Sequence, residues 1–180
     1  MSFIKKNKNS FIKILKNFSF EKEILNTCKL FKKCSLSKNK VIFLGNGGSA
    51  SIASHVSVDL TKNAKIRSVN FNETDLITCF ANDFGHENAM AWLVESNSAK
   101  DDLLIAISSS GESVNILNAV KKAKNLGIKV IGLSGFYANS LASLADYSIC
   151  IESRNYGVIE DTHSMIMHSL AQSVHEKLYP

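Results

Sequence analysis

With 180 residues, 45% of them hydrophobic and 21% charged, the chain can bury one substantial core, and its composition excludes a linker or disordered tail. No apolar run nears the roughly 18 residues that span a bilayer, and the basic N-terminus lacks the apolar segment and cleavage site of a signal peptide. Residues 1–40 hold eleven lysines against Glu21 and Glu23, a charge of +9, while the other 140 carry ten basic and fourteen acidic residues, a charge of −4.

The basic character thus belongs to an N-terminal arm. There Phe3, Ile4, Phe11, Ile12, Ile14, Leu15 and Phe18 recur at helical spacing between lysines, and a second helical stretch runs from Glu21 to about Cys34. Such an arm suits a membrane surface, a nucleic acid, a partner subunit, or simply a packed helix with a solvated lysine face. The arm shows no aromatic–basic interleaving of the kind that stacks bases, so nucleic-acid binding is not expected. Cys28, Cys34, Cys79 and Cys150 form no CxxC pair, which points to a reduced, cytoplasmic setting without disulfides.

From Lys40 the pattern alternates. VIFLG, DLLIAIS, KVIGLSG and YSICIES are short β-branched runs of the buried parallel-strand type. Helical patterns lie between them at about 48–63, 73–82, 86–98, 113–126 and 138–145, and a last helix is predicted over 158–178. This punctuation predicts an α/β fold: a three-layer αβα sandwich around a parallel sheet of about five strands, residues 37–180, with N-terminal helices over 1–36. In such sheets ligands bind beyond the carboxyl ends of the strands.

Two loops stand at those ends. GNGGSAS follows VIFL; its glycines permit a tight turn that bares amides at a helix start, although a lone match to a dinucleotide pattern is weak. SSSGESVN follows LLIAI and clusters Ser108, Ser109, Ser110 and Ser113 beside another helix start, more hydroxyls than an N-cap needs, which suits a phosphate. The first loop leads into His55 and Asp59, four residues apart on one helix face, a common chelating spacing. Taken singly, Asp59 also reads as a surface helix residue, and His168 as a core histidine.

The paired serine loops resemble the SIS (sugar isomerase) domain. The ordered set GNGGSA, HxxxD, CFANDFG, SSSGES and IEDTHSMIMH resembles the bacterial phosphoheptose isomerases over about residues 40–175. That resemblance implies an aldose–ketose isomerase converting sedoheptulose 7-phosphate to D-glycero-D-manno-heptose 7-phosphate for lipopolysaccharide or capsule. It implies a homotetramer with active sites between subunits and a bound zinc ion. By motif, Asn46, Gly47, Gly48 and Ser49 would line the sugar, and Asn82 and Asp83 would face its hydroxyls. Ser108, Ser109, Ser110 and Ser113 would hold the phosphate. His55, Asp59, Glu160 and His168 match metal and acid–base positions, with Glu160 also near substrate. Asp59 is the candidate base and His168 the candidate acid for an enediol mechanism.

Four departures from the family pattern stand out: Asp59 replaces a glutamate, Glu160 a glutamine, Asn63 an arginine and Gly157 an aspartate. Glu160 and His168 are also eight residues apart, about 12 Å along a helix, so one continuous helix cannot bring both to one ion. Either Glu160 precedes the helix or the two serve different copies of the site. The helix after GNGG is expected to carry His55 and Asp59 toward the reacting end of the sugar. The alternative function is a non-catalytic tetrameric SIS protein, of the type that assembles a replication initiator or senses sugar phosphates. Such relatives lack the late histidine that this chain has as His168.

Overall fold

The computed structural model describes residues 2–16 and 19–178, the last two by backbone only. Phe18, expected in the first helix, lies outside them. Two helices, α1 (Phe3–Lys16) and α2 (Glu21–Leu36), precede strand β1 (Val41–Leu44) and helix α3 (Gly48–Lys62). Strand β2 (Ser68–Asn70) follows, then helices α4 (Thr74–Phe84) and α5 (His86–Asn97). Strand β3 (Leu103–Ser108), helix α6 (Val114–Asn125), strand β4 (Lys129–Gly135), helix α7 (Ser140–Leu144) and strand β5 (Tyr147–Ile151) come next, and helix α8 (Tyr156–Leu178) ends the chain.

The five strands form one parallel sheet in the order β2-β1-β3-β4-β5. Alternate strand residues feed opposite faces, as the two-residue period of a strand requires. Val41, Phe43, Ile105 and Ile131 pack under α2, α3 and α8, whereas Ile42, Leu44, Leu104 and Val130 pack under α5, α6 and α7. The predicted sandwich is the observed one. Its fifth strand, β2, carries no apolar run: Ser-Val-Asn is three half-buried edge residues, held in place when Ser68 Oγ donates to Ser57 O at 2.6 Å. The helical arm is less detached than its charge suggests, because Cys28, Phe31 and Cys34 of α2 join the core of residues 37–180.

Between two parallel strands a helix must return along the sheet, so α3 runs from the carboxyl ends of the strands back toward their start. Helix α8 lies alongside it in the same direction. Glu160 stands at the top against Gly48, and His168 lower down beside Asp59. His163, fully buried between them in sequence, ties α8 to β4: its Nε2–H donates to Ser134 O at 3.0 Å, and its Nδ1 has no partner among the described residues. Burial pushes its pKa down from 6.5 to about 4, against a smaller opposing contribution from the bond to Ser134.

That buried imidazole makes stability depend on pH. Between pH 6.5 and 4 the unfolded chain takes up a proton that native His163 refuses, so stability falls as pH falls through this window and levels below it. The loss amounts to about 3 kcal/mol. Urea unfolding at pH 7 and 4.5 should show it, and His163→Met should flatten that slope; an unchanged slope in the variant would contradict the assignment.

Candidate active site

Strands β1 and β3 are neighbours, but their crossovers leave to opposite sides, toward β2 and toward β4. This opens a crevice above the carboxyl ends of β1 and β3, where ligands of such sheets bind. The glycine and serine loops both end there. Gly47, at φ +54°, turns the chain into α3, and Gly48 lies so close to the Glu160 carboxylate that any side chain would collide with it. Asn46 and Asn115 exchange two amide hydrogen bonds of 2.9 Å, which bind the glycine loop to the first turn of α6.

In the serine loop, Ser108 Oγ donates to Ser113 Oγ at 3.0 Å, and Ser109 Oγ donates to Glu160 Oε1 at 3.4 Å. Ser110 Oγ accepts from Glu112 N at 3.1 Å, so its own O–H is available to a ligand. Asn46, Gly47, Ser110, Ser113 and Glu160 therefore meet at one mouth, with Ser108 and Ser109 buried behind it and bonded to Ser113 and Glu160. Ser49 is close by but buried, within the first turn of α3. Asn82 and Asp83 are not drawn in: both are exposed on α4, where Asn82 Nδ2 donates to Asp83 Oδ1.

The same mouth holds residues outside the motif reading. His86 lines it together with Asn46, Asn72 and Asn115, at the start of α5 just after Gly85 at φ +79°. The signal for His86 was the FG-H junction, where a glycine ends one helix and frees the next residue to point at the loops. Asn115 was legible only as the last residue of the serine stretch.

A second constellation lies elsewhere. His55 Nε2 and His168 Nδ1 each stand 3.4 Å from Asp59 Oδ2, and the imidazole centroids are 4.8 Å apart. Asp59 Oδ1 has a long contact, 3.5 Å, with Asn63 Nδ2, and Asn63 O accepts from His175. One donor atom from each of His55, Asp59 and His168 fits within a 4.8 Å set. Ligands about 2.0–2.1 Å from a tetrahedral ion stand roughly 3.4 Å apart, so these side chains fit a divalent metal. Two imidazoles and a carboxylate also leave a fourth position open, as catalytic zinc sites do.

Glu160, expected with that set, does not join it within one chain. Helix α8 is continuous from Tyr156, so the option that Glu160 precedes the helix does not hold, and its carboxylate sits at the loops. Nor do His55 and Asp59 stand at the loops of their own chain, for His55 is seven residues, about 10 Å, down α3 from Gly48. Asp59 is eleven residues, about 16 Å, down α3 from Gly48.

Comparison with known proteins gives this arrangement its context. The SIS domain family matches residues 6–135. A phosphoheptose isomerase of Buchnera aphidicola is 36% identical over 177 residues, 93% of this chain and 91% of the relative. One from Helicobacter pylori is 35% identical over 144 residues, 77% and 75% of the two chains. The chain belongs to the phosphoheptose isomerase family. Within this family the solved structure of a phosphoheptose isomerase from Francisella tularensis has the same fold, with a TM-score of 0.89 at 29% identity, covering 98% of this chain and 100% of that one.

The metal fit is directly testable. Zinc titrated into the purified protein should bind once per chain, and His55→Gln or His168→Gln should each weaken it by about a hundredfold. Affinity unchanged in both variants would dismiss the His-Asp-His set as a metal site.

Proposed function

We propose that the protein interconverts sedoheptulose 7-phosphate and D-glycero-D-manno-heptose 7-phosphate, supplying heptose for a bacterial surface glycan. The observation that carries this reading is the pairing of His168 with Asp59 at 3.4 Å, because the late histidine separates the isomerases from non-catalytic SIS proteins and here it is engaged with the candidate base.

In this reading the phosphate rests on the serine loop. It is held by the Ser110 and Ser113 hydroxyls and by amides at the start of α6, whose dipole favours an anion. The sugar chain extends over Asn46, Gly47 and Gly48, and Glu160 Oε2 accepts from a sugar hydroxyl. The reaction is a proton relay. Asp59 Oδ1 takes the proton from C1, and the C–H electron pair forms the C1=C2 bond as the carbonyl oxygen at C2 gains a proton, giving the enediol. A proton then returns to C2 while the C1 hydroxyl gives up its own, and an aldehyde stands at C1. His168, 3.4 Å from the same carboxylate, serves as the acid: it gives the proton to the C2 oxygen and takes up the one released by the C1 hydroxyl, while Asp59 returns its proton to C2. A zinc ion on His55, Asp59 and His168 would supply Lewis-acid polarisation of the substrate oxygens.

Phosphate seat and acid–base set lie on different parts of one chain, which favours an assembly in which one subunit offers the loops and another the His-Asp-His set. Helices α1 and α2 suit the contact, for they expose Phe3, Ile4, Leu15 and Leu25 between lysines. A homotetramer in the cytoplasm is the state this reading adopts. No helix among the described residues is long and apolar enough to cross a membrane.

Assay with sedoheptulose 7-phosphate decides the matter. Turnover should fall by about two to four orders of magnitude in Asp59→Asn and His168→Gln, with affinity nearly intact. Ser110→Ala should instead weaken binding by roughly 1.5–3 kcal/mol, the worth of a hydrogen bond to a charged group. Wild-type protein that binds phosphosugars but isomerises none would overturn the enzyme in favour of a binding protein.

A further inference from the structure

The serine loop contains a carboxylate, Glu112, between Gly111 and Ser113. A free carboxylate beside a phosphate seat would repel the ligand. Here it is turned away. Glu112 Oε1 accepts from Ser140 N at 2.8 Å, in the first turn of α7, and Ser140 through its side-chain and backbone hydrogen bonds holds the carboxyl below its usual pKa. The backbone of the same loop is fixed from the same side. Leu141 N donates to Gly111 O, and Gly135 N to Ser109 O, both at 3.0 Å.

Asn139 organises this support. It is nearly buried, at 7% exposure, in the connection between β4 and α7. Its Oδ1 caps α7 by accepting from Ala142 N at 2.9 Å, and its Nδ2 lies within 3.0 Å of Ser134 Oγ, Gly135 O and Tyr137 O. Gly111, at φ +71°, packs so tightly on the Asn139 side chain that any β-carbon would overlap it. The loop thus keeps its shape because the amide of Asn139 fills the space beneath it.

We propose that Glu112 and Asn139 are positioning residues of the phosphate seat: they set its affinity by holding the serine loop against the β4–α7 connection, without touching the ligand. This rests on the phosphosugar reading above. It makes a prediction opposite in sign to simple electrostatics. If Glu112 acted only as a nearby charge, removing it would tighten phosphate binding. If it positions the loop, removing it loosens the seat, and displacement of about an ångström is costly.

The experiment titrates inorganic phosphate and sedoheptulose 7-phosphate into the full-length protein and measures KM and kcat in parallel. Glu112→Ala should raise both dissociation constants and KM about tenfold, with kcat held within about twofold. Glu112→Gln keeps an oxygen that accepts from Ser140 N, and should recover most of the loss. Asn139→Ser keeps a cap for α7 but loses the amide donors, and should resemble Glu112→Ala. Glu112 is exposed, so the Glu112 pair decides the question even where Asn139→Ser fails to fold. Glu112→Ala protein that binds both probes as tightly as wild type, or more tightly, overturns the inference alone. Wild-type protein that binds neither overturns the phosphosugar reading, and the inference with it.

Discussion

The pairing of β1 with β3 at the centre of the sheet is the constraint on which the remaining geometry rests. Val41 to Leu44 align in register with Leu103 to Ala106, so the glycine loop after Leu44 and the serine loop after Ser108 must emerge side by side. Asp102 secures the other end of this pair, accepting from Lys40 N at 2.9 Å and Lys40 Nζ at 2.6 Å. Because the two crossovers leave in opposite directions, no helix covers the crevice between the loops. The reciprocal amides of Asn46 and Asn115 then close it from the side. Hydroxyls and amides brought together this way can bind a phosphate without a lysine or arginine in either loop.

The same topology divides the chemistry. Helices α3 and α8 run in parallel down one face, with Gly48 beside Glu160 at the mouth and Asp59 beside His168 lower down. A helix rises about 1.5 Å per residue, so eight to eleven residues take Asp59 and His168 more than 10 Å from the loops. In the proposed reading, an active site containing both draws on two chains. The exposed apolar residues of α1 and α2 offer the subunit contact that this reading calls for.

Much of this was legible in the residues. Four of the five strands announced themselves as β-branched runs: β1, β3 and β4 because both of their faces are buried, and β5 through Ile149 and Ile151, which face the core. The helix limits followed from periodicity to within about two residues, and in the structure Gly85 parts α4 from α5. Strand β2 was not legible, because Ser-Val-Asn has too few apolar residues to show a period. The His55–Asp59 pair was readable from its spacing of four. Its meeting with His168 came through the resemblance, since 109 residues separate His168 from Asp59 and only the packing of α8 on α3 joins them. Glu160 shows the limit most clearly. Its motif position placed it with the metal ligands, but within one chain helical rise keeps it at the loops, where Gly48 leaves room for it and Ser109 donates to it. The roles of Glu112 and Asn139 depend on side-chain direction, on which the SSSGES motif is silent.

The division of one site between two chains is tested most directly by mixing two disabled proteins. Asp59→Asn protein has intact loops, and Ser110→Ala/Ser113→Ala protein has an intact acid–base set. The two are dissociated together, reassembled, and assayed with sedoheptulose 7-phosphate well below the raised KM. Random assembly restores about a quarter of shared sites, so activity should rise well above the sum of the separate proteins. Activity that never exceeds that sum would mean that each chain completes its own site, and would contradict the account.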